Sequence, residues 1–171
     1  MSLYESSVPQ FRKMLKNLDK WLEAGEAHAK AKSFDPNVLV QARLAPDQYP
    51  LVRQVQSSCD NAKFAASRLT GKEAPKNPDT ETTIEELHAR IRACTAFLDT
   101  ITEKDFVGAE TRHVTLPFFP EGKFVTGAEY LTAMATPNFY FHLTTAYAIL
   151  RHNGVAIGKT DYIGSMDLRD K

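Results

Sequence analysis

The sequence predicts an all-α protein, a four-helix bundle with a small β-hairpin before its last long helix. Three observations lead there. Apolar residues at three-and-four spacing recur in four long segments. Connectors with proline or glycine separate those segments. Between residues 111 and 126 the period shortens to two, the signature of paired strands. With 171 residues, 43% hydrophobic and 25% charged, the chain has enough apolar surface to fold as one domain, 1–171, without disulfide staples. Lys plus Arg and Asp plus Glu number 21 each, so no global field draws it to nucleic acid or to an anionic membrane.

The first helix is expected from Val8 to about Lys30, with Val8, Phe11, Met14, Leu15, Leu18, Trp21 and Leu22 on its inner face. Ser7 is read as its cap and Pro9 as a first-turn residue. A long connector, 33–50, carries a short helical turn at Asn37 to Gln41, and Arg43, Asp47 and Arg53 offer charges to pin it. The second helix begins at Pro50 and stops at Gly71, with an alanine-rich lower half that permits close approach. After a surface linker, 72–80, overlapping capping boxes at Thr82, Thr83, Glu85 and Glu86 start a third helix that runs to about Ile101. The hairpin follows. The fourth helix runs from about Ala128 to Arg151, kinked by Pro137 and closed at Asn153-Gly154. The tail beyond Val155 is expected to lie along the surface.

Cys59 and Cys94 are the only cysteines. Each falls inside a helix and neither forms a CxxC pair, which suits reduced thiols in a cytoplasmic protein. The amino end has no basic-then-apolar leader pattern, and the most apolar run, 139–150, is broken by His142, Thr144 and Thr145. Walker, HExxH, GxSxG and dinucleotide glycine patterns are missing, which removes the main support for nucleotide and serine enzymes.

One constellation stands out. Leu131, Ala135, Asn138, His142, Thr145 and Ile149 follow one another at steps of three and four, so Asn138 and His142 occupy positions where a bundle places aliphatic side chains. Burying either without a partner costs about 1 to 3 kcal/mol. Gln56 and Asp60 on the second helix have the matching spacing, and Asp60 is the expected partner of His142, fixing its tautomer and raising its basicity. Asp60 and His142 are the candidate catalytic pair, Asn138 and Gln56 the candidate substrate contacts. His28 and His88 are placed on exposed faces, His113 in the hairpin and His152 at a helix end.

Residues 43–56, RLAPDQYPLVRQVQ, and 137–154, PNFYFHLTTAYAILRHNG, resemble a bacterial family of unknown function grouped with the DinB and YfiT-like four-helix proteins. The resemblance spans nearly the whole chain and implies a DinB-like bundle, commonly a homodimer. It also implies a divalent metal, zinc or nickel among others, which many such proteins hold with one histidine from the second helix and an HxxxH pair on a later one. Some use it to activate thiols in transferase reactions and others are described as hydrolases. Carried over residue by residue, Asp60 replaces the first histidine, Asn138 the second, and His142 remains, so Asp60 and His142 become the candidate metal ligands.

Two readings follow. In one, His142 works in an open pocket, as a metal ligand or as a general base, in a hydrolase or thiol transferase. In the other, a non-enzymatic dimer closes the polar group on itself or binds a small ligand, with Phe139, Tyr140, Phe141 and Tyr147 as its aromatic contacts.

Overall fold

A computed structural model describes residues 1–166, 168 and 169. Helix α1 spans Val8–Lys32, α2 Leu51–Thr70, α3 Ile84–Asp99, α4 Gly127–Tyr130, α5 Thr136–His152 and α6 Lys159–Ile163. A π-helical turn, Leu131–Ala135, joins α4 to α5 into one rod. Strands β1, His113–Val114, and β2, Val125–Thr126, pair antiparallel with His113 opposite Thr126. The expected all-α bundle with one small hairpin is present.

Helix α2 is the centre of the bundle, packed against α5 on one side and α3 on the other, while α1 closes the ring against α3 and α5. Phe11, Leu15, Leu18, Leu22, Val55, Leu69, Leu87, Ile91, Phe139 and Leu143 meet in one continuous core. The connector winds into a 3-10 turn at Pro36–Gln41 that buries Leu39 and Val40. Asn37 Oδ1 also accepts the Ile84 N–H at 3.0 Å, tying the connector to the start of α3. Of the charges expected to pin it, Arg43 reaches the Pro46 carbonyl, whereas Arg53 turns instead to Asp79 in the 72–83 linker.

Several helix ends follow their sequence signals. Thr83 and Glu86 form a reciprocal capping box, and Gly71, at φ 80°, closes α2 with its N–H on the Ser67 carbonyl. Ser7 does not cap α1 with its side chain. Residues 2–7 already turn, so Ser7 donates back to the Leu3 carbonyl and the first helical N–H groups find carbonyls there. Gly127 starts α4 where only a hydrogen fits: a Cβ would lie 2.0 Å from the Ala109 carbonyl oxygen and 2.9 Å from Leu69 Cδ2. Gly127→Ala is therefore expected to lower stability by about 1 to 3 kcal/mol through overpacking, read as an earlier urea midpoint; an unchanged midpoint would show that the 109–127 contact relaxes freely.

Two further expectations change. His88 is buried rather than exposed, with Nδ1 2.6 Å from Asp19 on α1; a single polar ring can sit on an inner face when the facing helix brings a carboxylate. The described part of the tail does not merely lie on the surface. Val155 and Ile157 are buried, and Trp21 Nε1 donates to the Asp161 carbonyl at 3.1 Å. Residues 167, 170 and 171 of that tail lie outside the described residues. Among the described residues no helix is long and apolar enough to cross a membrane. Cys59 and Cys94 are buried free thiols, with the Cys94 thiol 3.2 Å from the Cys59 carbonyl.

A candidate ligand cleft between α2 and the α4–α5 rod

The proline effect expected at Pro137 is absorbed upstream. Proline has no N–H to give the helix, and the turn before it widens so that the Thr136 N–H reaches back five residues to the Leu131 carbonyl. The consequence is geometrical. In an α-helix each step of four residues overshoots a full turn by about 40°, so four residues spaced by four drift off one face. A π turn contains an extra residue, which cancels much of that drift. Tyr130, Met134, Asn138 and His142 thereby share one face and line one cleft.

The cleft measures about 310 Å³, near the lower end of the roughly 300–1,000 Å³ typical of small-molecule sites. Its floor is α2, from Arg53 through Ser57, Asp60, Asn61 and Phe64 to Arg68. Tyr49, before α2, and Leu116, Pro117 and Phe118 from the hairpin loop complete the lining. The hairpin, too short to stand alone, thus contributes a wall. Of Phe139, Tyr140, Phe141 and Tyr147 none lines this cleft: Phe139 is fully buried against Phe11, and Phe141 faces outward.

Asp60, Asn138 and His142 all reach the cleft, but Asp60 does not hold His142. Its carboxylate accepts from Arg90 at 2.7 Å and from Lys63 at 2.8 Å. Two buried cations required a carboxylate more strongly than a neutral ring did. Gln56 is buried away from the cleft, accepting from Arg53 at 2.9 Å and donating to Glu81 at 2.7 Å. Asn61, one turn beyond Ser57, lines the cleft in its stead.

His142 is instead held by Gln54, whose Oε1 lies 2.8 Å from Nδ1. Gln54 Nε2 donates to the Tyr49 carbonyl at 3.0 Å. A backbone carbonyl can only accept, so the amide has one orientation: its oxygen faces the ring, Nδ1 carries the proton, and Nε2 keeps its lone pair. A parallel relay fixes Asn138. Asn61 donates to the Ser57 carbonyl at 2.8 Å, its oxygen accepts Asn138 Nδ2 at 2.6 Å, and Asn138 keeps its carbonyl oxygen uncommitted. Both relays end on α2 backbone or on the residue that leads into it. Both present acceptors.

Burial, then the charge of Arg53, holds the His142 pKa below the ordinary imidazole value. The ring is neutral at pH 7. The unfolded chain takes this proton near pH 6.5 and the folded chain only at lower pH, so between those values the unfolded state binds more protons and stability is lost as the pH is lowered. Above pH 6.5 the contribution is fully present. Urea titrations between pH 7 and pH 5 are expected to show a steeper loss for the wild type than for His142→Gln; parallel slopes would mean that His142 titrates normally.

The metal implied by the DinB resemblance does not fit this donor set. Among the described residues no three His, Cys, Asp or Glu side chains are placed to hold one metal ion. Asp60 is engaged by two cations, Asn138 offers a neutral oxygen, and His142 is a single nitrogen ligand, whereas zinc and nickel favour several nitrogen or sulfur donors.

A family model described as "Domain of unknown function (DUF1993)" matches residues 3–163, almost the entire chain. The chain belongs to the DUF1993 family. The DUF1993 chain is also similar to a solved structure, the crystal structure of a DinB family member protein from Shewanella denitrificans. The two share 48% identity over 99% of this chain and 96% of that one, with a TM-score of 0.95. The DUF1993 bundle is therefore DinB-like. No curated protein sequence matches it.

Proposed function

We propose that this DUF1993 protein binds a small organic molecule in the α2/α4–α5 cleft and that His142 acts there as a neutral general base through Nε2. The observation that carries this reading is the Gln54–His142 hydrogen bond, which leaves a basic nitrogen of defined tautomer in an open cleft. A base of this kind takes the proton of a water in a hydrolase or of a thiol in a transferase, and returns it to the leaving group. Gln54 supplies orientation without a charge, so the ring stays unprotonated where a carboxylate partner would favour the imidazolium. Asn138 and Asn61 would position the polar end of the ligand.

Nitrogen NMR of the histidine side chains tests the reading in the protein itself. The expected result is one Nδ1–H tautomer for His142, with a midpoint below 6.5, and a mixed tautomer in Gln54→Leu. Loss of the Gln54 partner is expected to lower stability by about 1 to 3 kcal/mol. An Nε2–H tautomer, or a midpoint above 7, would overturn the proposal. The same titration with added zinc or nickel tests the alternative: saturable broadening of His142 at stoichiometric metal would restore the metal reading.

A further inference from the structure

Arg53, Asp60 and Arg68 are the charged side chains that line the cleft, and the first two are cancelled by partners outside its lining. Arg53 donates to Asp79 at 2.6 Å, Lys63 to Asp60 at 2.8 Å, and Arg90 to Asp60, Asp79 and Glu81 at 2.7, 3.2 and 3.0 Å. Three cations meet three carboxylates. Arg68 is the exception. It belongs to none of the ion pairs of the described residues. Its guanidinium instead lies over the rings of Phe64, at 5.1 Å, and Tyr130, at 5.5 Å, and donates to the Tyr130 hydroxyl at 2.8 Å. A guanidinium has five N–H donors in a planar fork, and this one is held in place by two aromatic faces at one end of the cleft.

Three features then run in order along the cleft. At the Arg68 end stand donors and an uncancelled positive charge. Between the ends lie Phe64 on α2 and Met134 on the facing rod, and Leu116 and Phe118, the last 68% exposed, also line the cleft. At the far end Asn138 and His142 present acceptors. Arg68 lies seven residues beyond Asn61, the partner of Asn138, so the two ends are about 10 Å apart along α2.

We infer that the ligand is a small, elongated monocarboxylate: its carboxylate pairs with Arg68, its flat apolar body crosses the Phe64–Met134 waist, and a hydroxyl, thiol or amino hydrogen at its other end is donated to Asn138 or His142. A carboxylate matches the guanidinium fork through two parallel hydrogen bonds, and one negative charge offsets the one uncancelled cation. The donor end follows from the two relays, which each engage an amide hydrogen within the protein and leave the Asn138 carbonyl oxygen and His142 Nε2 as acceptors. This assignment rests on the cleft proposed above, but not on His142 acting as a base.

Three probes separate the parts: 4-hydroxycinnamate, its neutral amide, and 4-methoxycinnamate, which keeps the charge and loses the terminal hydrogen. Binding is followed by calorimetry and by the NMR signals of the Arg68 side chain, Asn138 and His142. The hydroxy acid is expected to bind saturably at millimolar concentration or below, and the amide and the methoxy acid each about tenfold or more weakly. Arg68→Gln is expected to abolish the preference for acid over amide, and Arg68→Lys to keep part of it. A thermal melt of both variants shows whether Tyr130 still packs. His142→Ala should retain the Arg68-dependent preference, so a failure of the general-base reading is distinguishable from a failure of this one. Equal binding of acid and amide, an unchanged preference in folded Arg68→Gln, or no saturable binding of the hydroxy acid would each overturn the inference.

Discussion

Replacing Arg90 with alanine is expected to destabilise the protein by about 3 kcal/mol, the lower part of the range for removing one partner of a buried ion pair. Its side chain is 1% exposed and holds Asp60 on α2 together with Asp79 and Glu81 in the linker. Burial opposes its charge, and Asp60 and Glu81 outweigh that and raise its pKa. Without Arg90 three carboxylates are left facing one another, and Lys63 and Arg53 can answer only two of them. Asp60 and Asp79 reach water, which keeps the cost from being larger. Asp60→Asn should cost less, because Arg90 retains Glu81 and Asp79. Urea denaturation of both variants and of the double mutant measures the coupling. A loss under 1 kcal/mol for Arg90→Ala would mean that the network is solvated and does not organise the linker. The cleft is expected to change with it, since Asp60 and Arg53 reach the cleft from the same network.

Trp21→Ala is expected to cost about 3 to 5 kcal/mol, the range for truncating a large buried aromatic. Trp21 is 1% exposed, stacks on Tyr162 at 5.2 Å and meets Tyr147 edge-on at 5.5 Å. Its indole N–H holds the Asp161 carbonyl. The ring is therefore both core and anchor for α6, a five-residue helix too short to persist alone. Hydrogen exchange should show residues 155–164 losing protection together in the variant. Trp21→Phe keeps much of the packing and loses the hydrogen bond, so it should fall between. If the tail keeps its protection in Trp21→Ala, it is held by Val155 and Ile157 alone.

The sequence by itself determined the long helices and several of their ends. The inner face of α1, the capping box at Thr83 and Glu86, the stop at Gly71 and the paired strands around His113 and Thr126 are local signals, written in spacing and in residues whose own backbone preference decides the matter. It also singled out Asn138 and His142, because polar residues on an otherwise apolar stripe need partners whatever the fold. Which partners they took was decided only by the tertiary structure. Arg90 is 30 residues from Asp60, and its claim on that carboxylate depends on how α3 and the linker lie across α2. With Asp60 taken, the ring met Gln54, two positions from the glutamine that the spacing suggested, since one step along a helix turns a side chain by about 100°. The π turn before Pro137 then set which residues of that rod share the cleft face, and so brought Tyr130, the partner of Arg68, to the same cleft as His142. Periodicity assigns faces to single helices. The choice among partners on facing helices is made by charge and packing acting together, and these exist only once the helices have met.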